Sequence, residues 1–530
     1  MKEYNVILKR GVDYDSFWND IESDTDGGKL YIPNRAVQFT NERPASLRQC
    51  WYLLTDEEAE LVRGDDRVLG VEIPPEHRTD IQIGLNRVQR GRFEKVISST
   101  GDFLNYGLVR SNYETNEFGS GSINPHPYNY VLDGRGVDIV IQDSGLQVDH
   151  PEFQNENGNS RVQQINWYTT SGIAGTQSAN HYRDFDGHGT HVCGIAAGKT
   201  YGWAKEARIY SQKLAGLEGS GDSSTGISTT DAFDTIKGWH MAKSGSIPTV
   251  VNMSWGYFQG YDTVSEINYR GVSKTGSIID TATKRQNDFG LMNSGGSTTT
   301  YRTNVRVGSV DTDIEEMIDS GIVVCIAAGN RSHKIDINGG PDYNNYAVTD
   351  AATVYYHRGS SPYSEDAFMV GSIDSVDGSG IIILTGSKEM IATYTERGPG
   401  VDLYATGTRI ISACSNTNAF SGQNYYANAS FKQVNISGTS MAAPQVAGVA
   451  TLVAQIYKDI PSGSFPSFVK NFILNYATSS LHQTPHNDDY SNFRSPLITG
   501  SAKMLYNPFG KEVAGSVGNL SFNGVNLEFR

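Results

Sequence analysis

Three short apolar runs, each ending in a polar residue, constrain this chain more than any other feature. They are Val137-Asp138-Ile139-Val140-Ile141-Gln142-Asp143, Thr249-Val250-Val251-Asn252-Met253-Ser254 and Gly321-Ile322-Val323-Val324-Cys325-Ile326-Ala327-Ala328-Gly329-Asn330. Runs of this length and β-branched content predict buried strands of a mainly parallel sheet, covered on both faces. Asp143 is therefore delivered to a sheet edge, Asn330 reads as an exposed amide after its strand, and Ser254 begins a polar-glycine corner.

Two further segments bring reactive groups to the ends of regular elements. In Asp186-Gly187-His188-Gly189-Thr190-His191 glycines bracket a histidine ahead of a small-residue helix, expected over residues 192–198. In Ser437-Gly438-Thr439-Ser440-Met441-Ala442-Ala443-Pro444 a serine sits where a strand-like approach turns into a helix. The first N–H groups of a helix lack intrahelical partners and the helix dipole favours negative charge there, so an oxyanion beside Ser440 would find donors. Taken alone, Ser440 is an ordinary helix cap. An acid, a histidine and a serine in this order, each ending an element, point to nucleophilic catalysis by a triad.

These blocks resemble those of the subtilisin-like serine proteases (peptidase S8), and the fit is nearest to the proteinase K branch. The resemblance implies an α/β three-layer fold with a central, mainly parallel sheet, and the chain order Asp, His, Ser is that of subtilisin. It makes Asp143 the orienting acid, His188 the general base and Ser440 the nucleophile, with His191 structural. Asn330 and the Ser440 N–H become the oxyanion hole. Ser254, Trp255 and Gly256 become the edge that binds substrate backbone, Gly219, Ser220 and Gly221 the opposing edge, and Ala327, Ala328 and Gly329 further substrate contacts. Trp255 reads equally well as a core aromatic. The His188 and His191 pair lacks an acidic third ligand at zinc spacing, so no metal site is assigned.

Composition narrows the function class. The 530 residues carry a formal net charge of −15, which argues against nucleic acid as a partner. No apolar run nears the roughly 18 residues of a membrane span. The start, Met1-Lys2-Glu3-Tyr4-Asn5-Val6, shows no secretory h-region, and Cys50, Cys193, Cys325 and Cys414 have neither framework nor metal spacing. Buried free thiols and a cytoplasmic site of synthesis are the expectation. No cofactor is implied. The strong calcium site of many relatives lacks room in residues 196–202, while the surface carboxylates leave other calcium sites unassigned.

Three regions are expected: residues 1–76, a linker over 77–104, and a peptidase domain over 105–530 with insertions near 257–310, 374–393 and 415–432. The first reads as βαββαβ: a strand from Tyr4, a helix from Asp13 to Glu22 with Phe17, Trp18 and Ile21 inward, strands at 35–40 and 49–54, a capping box at Thr55-Asp56-Glu57-Glu58 and a last strand at 68–73. It resembles an I9-type inhibitory and chaperoning propeptide whose tail enters the cleft; a plain docking domain is the other reading. The resemblance implies an autoprocessed serine endopeptidase acting on peptides or proteins. The alternative is a structural or binding component of a virion or other assembly, phage-encoded, with the prodomain retained.

Overall fold

A computed structural model of the chain describes residues 1–23, 30, 32, 35–43, 45–85, 106–114, 130–223, 225–243, 247–294, 299–374, 390–478, 503–509, 520–522 and 525–527. The amino-terminal unit runs β1 (Lys2–Leu8), α1 (Tyr14–Glu22), β2 (Phe39–Glu42), β3 (Gln49–Leu54), α2 (Asp56–Arg63) and β4 (Val68–Glu72). Its antiparallel sheet has the order β2-β3-β1-β4. Phe17 and Ile21 pack with Val6, Leu8, Tyr52 and Val62, while Trp18 is only partly buried. The capping box forms: Glu58 N donates to Thr55 Oγ1 (3.2 Å) and Thr55 N to Glu58 Oε2 (2.8 Å). The strand expected at 35–40 starts instead at Phe39. Arg35 is engaged through its side chain, donating to Glu58 Oε1 (2.9 Å) and Leu53 O (2.9 Å).

A short strand, β5 (Gln82–Leu85), leaves this unit and joins the large domain. The Arg-rich remainder of the linker, residues 86–104, lies outside the described residues. The large domain runs α3 (Tyr106–Arg110), β6 (Asp138–Asp143), α4 (Trp167–Ser171), α5 (His188–Ala197), β7 (Arg208–Lys213), α6 (Thr229–Ala242), β8 (Thr249–Met253), β9 (Trp255–Tyr261), β10 (Val264–Tyr269), β11 (Val272–Lys274), α7 (Ala282–Phe289) and β12 (Tyr301–Asn304). It continues with α8 (Gly308–Asp319), β13 (Val323–Ala327), β14 (Tyr346–Thr349), β15 (Thr353–Tyr355), β16 (Phe368–Asp374), β17 (Met390–Ile391), β18 (Leu403–Thr406), β19 (Ile410–Cys414), β20 (Gln423–Tyr425), β21 (Asn428–Ile436), α9 (Thr439–Tyr457) and α10 (Phe465–Tyr476).

At its centre β18, β16, β13, β8, β6 and β7 pair in parallel in that order, with β17 antiparallel on β16. Strand alternation divides the apolar residues between two cores. Ile139, Ile141 and Val323 pack with Val192 of α5 and Val446 and Val449 of α9, whereas Val140, Val251 and Val324 pack with Ile236 of α6 and Ile314 and Met317 of α8. The result is the three-layer α/β fold.

The insertion expected at 257–310 is narrower than that range. Tyr257, Val307 and Val310 belong to the main core, because β9 continues directly from Ser254 after β8 and α8 is a layer helix. The outer part builds an accessory sheet, β11-β10-β14-β15, over Ile267, Phe289, Leu291, Ala347 and Tyr356. Half of that sheet comes from residues 346–355, which sequence analysis passed over. Strands of three and four residues carry almost no periodicity signal. The 415–432 segment forms β20 and the start of β21, the strand that pairs on β19, while residues 375–389 of the insertion expected at 374–393 lie outside the described residues.

The amino-terminal unit docks on α6 and α8. Glu72 accepts from Gly308 N (3.2 Å) and Ser309 N (2.7 Å), and Glu76 from Thr230 N (2.7 Å) and Thr229 Oγ1 (2.7 Å), so a carboxylate meets the positive end of each helix. Between these caps the buried Arg43 donates to Asp234 (3.0 Å) and Asp313 (2.7 Å).

Candidate active site

The carboxyl ends of three adjacent parallel strands, β13, β8 and β6, lead into Asn330, Ser254 and Asp143. Neighbouring strands lie about 5 Å apart, so the sheet itself sets the spacing of these groups.

His188 was expected ahead of its helix; it is instead the first residue of α5. The buried Asp184 carboxylate is the reason, since it accepts from Gly187 N (2.8 Å), Thr190 N (2.9 Å) and Thr190 Oγ1 (2.6 Å) and starts the helix four residues early. Gly187 adopts φ 91°, and a Cβ there would lie 2.6 Å from Asn418 Cβ and 2.9 Å from Cys414 Sγ, so only glycine fits. His188 Nδ1 lies 2.8 Å from Asp143 Oδ1, an oxygen that also accepts from Ser144 N at 2.7 Å. That pairing assigns the proton to Nδ1 and leaves the lone pair on Nε2, which has no hydrogen-bond partner. His191 faces Ile410 O (3.1 Å) and Val434 O (3.0 Å), and burial pushes its pKa down to about 3, so it is a neutral structural group.

Ser440 is the second residue of α9. Its Oγ donates to Ser254 O (2.9 Å) rather than to His188, while Ser254 Oγ donates back to Ser440 O (3.2 Å). The reciprocal bond has a local cause: Pro444 carries no N–H to satisfy the Ser440 carbonyl four residues earlier. Asn330 is oriented by the same helix start. Its Oδ1 accepts from Thr439 N (2.8 Å) and Thr439 Oγ1 (3.0 Å), which leaves the buried Nδ2 without a partner.

Ser254, Trp255 and Gly256 line the edge of β9, and β5 pairs antiparallel on it with Gln82 opposite Phe258, Ile83 opposite Tyr257, Gly84 opposite Gly256 and Leu85 opposite Trp255. The Trp255 side chain is core, against Phe233 and Tyr257. Gly219, Ser220 and Gly221 form a turn that joins no strand pairing among the described residues; Lys213 anchors it through Asp222. Ala327 ends β13, Ala328 N donates to Val370 O (2.9 Å), and Gly329 N donates to Thr439 Oγ1 (3.1 Å).

Glu396 stands behind this loop, fully buried. It accepts from Asn304 Nδ2 (2.8 Å) and Arg331 N (3.2 Å), its own N–H donates to Gly329 O (2.9 Å), and burial pushes its pKa up to about 8. Sequence reasoning missed Asp184, Ser144, Thr439 and Glu396 as site supports. Thr439 lay inside a motif already singled out; the other three carry no local signal. The four cysteines are buried and free, and the Cys414 Sγ lies 4.0 Å from Gly187 O, at the histidine turn. Among the described residues no cluster of three or more His, Cys, Asp or Glu is arranged to hold a metal ion.

The sequence profile described as "Subtilase family" matches residues 134–494. The chain belongs to the subtilase family. This subtilase is 25% identical over 376 residues to a cuticle-degrading serine protease of Arthrobotrys oligospora, covering 69% of this chain and 65% of that protein. It is 27% identical over 354 residues to an extracellular serine proteinase of a Thermus species, covering 67% and 58%. The chain thus spans less than two thirds of the length of these curated relatives. The solved structure of fervidolysin from Fervidobacterium pennivorans, a keratinolytic enzyme related to subtilisin, superposes with a TM-score of 0.50 at 15% identity, covering 96% of this chain and 60% of that one. That likeness bears on the fold.

Proposed function

We propose that this subtilase is a serine endopeptidase whose amino-terminal unit is its inhibitor and whose first substrate is its own connector. The observation that carries the reading is the Asp143–His188 pair, in which Nδ1 is committed at 2.8 Å and Nε2 is left unpartnered. To react, Ser440 Oγ exchanges its bond to Ser254 O for one to His188 Nε2, a rotation about one side-chain torsion. His188 then takes the proton as Oγ attacks a peptide carbonyl, and Asp143 stabilises the imidazolium. The developing oxyanion is met by Asn330 Nδ2 and the Ser440 N–H. His188 returns the proton to the leaving amine, and water releases the acyl group by the same steps.

β5 supports the second half of the proposal. It occupies the β9 edge as an added strand, the way an extended peptide binds a sheet edge. Its last residue, Leu85, is opposite Trp255, the neighbour of Ser254, whose carbonyl holds the Ser440 hydroxyl. The cut is therefore assigned to the bond directly following Asn86. A second reading, a subtilase fold retained as a docking component with its amino-terminal unit never released, is favoured by one observation: Asp143, His188 and Ser440 are all fully buried. A serine-directed fluorophosphonate separates the two. Label on Ser440 of the wild-type chain, absent from Ser440→Ala, supports the enzyme; a folded, processed chain that takes no label refutes it.

A further inference from the structure

β9 presents two faces to any strand bound along it. Trp255 and Tyr257 point into the main core, so Gly256, Phe258 and Gly260 line the other face. Over that second face lie two cations: the Arg331 guanidinium carbon is 4.6 Å from the Phe258 ring centroid, and that of Arg302 is 5.5 Å away. Arg331 directly follows Asn330 in the chain. Its backbone N–H is held by Glu396, yet its guanidinium has no hydrogen bond or ion pair among the described residues. Arg43 is paired with Asp234 and Asp313 and Lys334 with Asp342, whereas Arg161 and Lys205 are satisfied by backbone carbonyls; the Arg331 guanidinium has neither kind of partner among the described residues. A half-buried guanidinium with no hydrogen-bond acceptor keeps its fork of donors free for an incoming carboxylate.

The strand register says where that partner belongs. Directly opposite residues of an antiparallel pair share a face and their side chains interact. Gln82 is opposite Phe258 and Gly84 opposite Gly256, so alternate residues of the bound strand stand on the face that Arg331 covers. We propose that Arg331 selects carboxylate side chains at alternate residues of the bound strand, those at the positions of Gln82 and Gly84, which makes acidic polypeptide segments the preferred substrates. This rests on β9 being the substrate edge. The charge balance supports it. Burial lowers Arg331 only to about 10, so it stays cationic at neutral pH, and burial pushes the neighbouring Glu396 carboxyl up, which weakens its hold on that cation. Arg302 adds to the positive field. Gln82 and Gly84 carry no charge, so an acidic substrate would offer Arg331 a carboxylate that the chain's own sequence does not.

The full-length Ser440→Ala chain, which cannot cut itself, supplies the test. Amide hydrogen exchange of β5 is compared for Gln82→Glu and Gln82→Lys at pH 7 and low ionic strength, each with Arg331 intact, as Arg331→Gln and as Arg331→Lys. With Arg331 intact, Gln82→Glu should protect β5 about tenfold more than Gln82→Lys, the scale of one charge-assisted hydrogen bond. The gap should fall below about twofold in Arg331→Gln and be partly kept in Arg331→Lys, which retains the charge without the planar fork. A gap that is absent, or equal in all three backgrounds, overturns the proposal, as does a β5 without protection. The readout needs no catalysis. An inert wild-type chain would sink the endopeptidase reading and leave this result standing, whereas a flat exchange result in a chain that cleaves itself would sink only this inference.

Discussion

Thr439 is the side chain whose removal most sharply tests how the oxyanion amide is held. Its N–H and Oγ1 both donate to Asn330 Oδ1, at 2.8 and 3.0 Å, and Oγ1 accepts from Gly329 N at 3.1 Å. Thr439→Val keeps the shape and the backbone N–H but removes one of the two bonds fixing the amide and strands the Gly329 N–H. A lost neutral hydrogen bond or a stranded buried donor costs about 1–2 kcal/mol, which corresponds to roughly 5–30-fold in rate if the loss falls on the transition state. The ceiling is complete loss of the donor, about 10²–10³-fold, a size known for the oxyanion amide of subtilisin and carried over to this chain. Because the donor acts on charge that develops only during reaction, kcat should fall while KM stays within about twofold. Steady-state kinetics of the processed enzyme on a peptide amide reads both constants, and a thermal melt reads the stranded donor. Thr439→Ser, which keeps the hydroxyl, should restore most of kcat. Wild-type kcat in Thr439→Val, a loss confined to KM, or no recovery in Thr439→Ser would refute the reasoning.

Asn330→Ala should lose about 10²–10³-fold and Ser440→Ala about 10⁶-fold in kcat, both magnitudes carried over from subtilisin, and equal losses would show that Asn330 is not a separate donor. Arg43→Met leaves Asp234 and Asp313 buried without their cation and should weaken docking of the amino-terminal unit by about 3–5 kcal/mol, seen as earlier denaturant unfolding of the full-length Ser440→Ala chain; a shift under about 0.5 kcal/mol would contradict the bridge. Glu396 titrates near 8 in the folded chain against an ordinary 4.5, so it stays protonated in the fold while the unfolded chain ionises, and its contribution to stability is lost as pH rises from about 4.5 to about 8. Glu396→Gln should therefore gain on wild type through that window by a few kcal/mol, about 1.4 per pH unit, and a constant gap would show that the carboxyl is not held neutral.

The sheet, the order of the amino-terminal unit and the segments that carry Asp143, His188 and Ser440 were legible because each is written locally. Strand runs such as Val137–Asp143 are continuous apolar stretches, the Thr55 capping box is a four-residue pattern, and Ser440 sits in a helix start that needs no distant residue to define it. What escaped was non-local. Asp184 starts α5 early through bonds to Gly187 and Thr190, and nothing in its own neighbourhood distinguishes it from a loop aspartate. Glu396 reaches the oxyanion loop only through tertiary packing. Half of the accessory sheet comes from the 346–355 segment, whose strands are too short to show alternation. The Ser254 hydroxyl bonded to the Ser440 carbonyl follows from the absent N–H of Pro444, a consequence that the motif contains but that only the packed segment after β8 reveals.

The central claim is that this chain is a protease held shut by its own tail, and intact mass of the freshly purified full-length protein tests it most directly. The wild-type chain should appear as two fragments divided after Asn86 that remain associated, while Ser440→Ala stays whole. If both proteins remain at full length, with no activity released by a trace of added protease, or if both are cut at the same bond, the account is wrong.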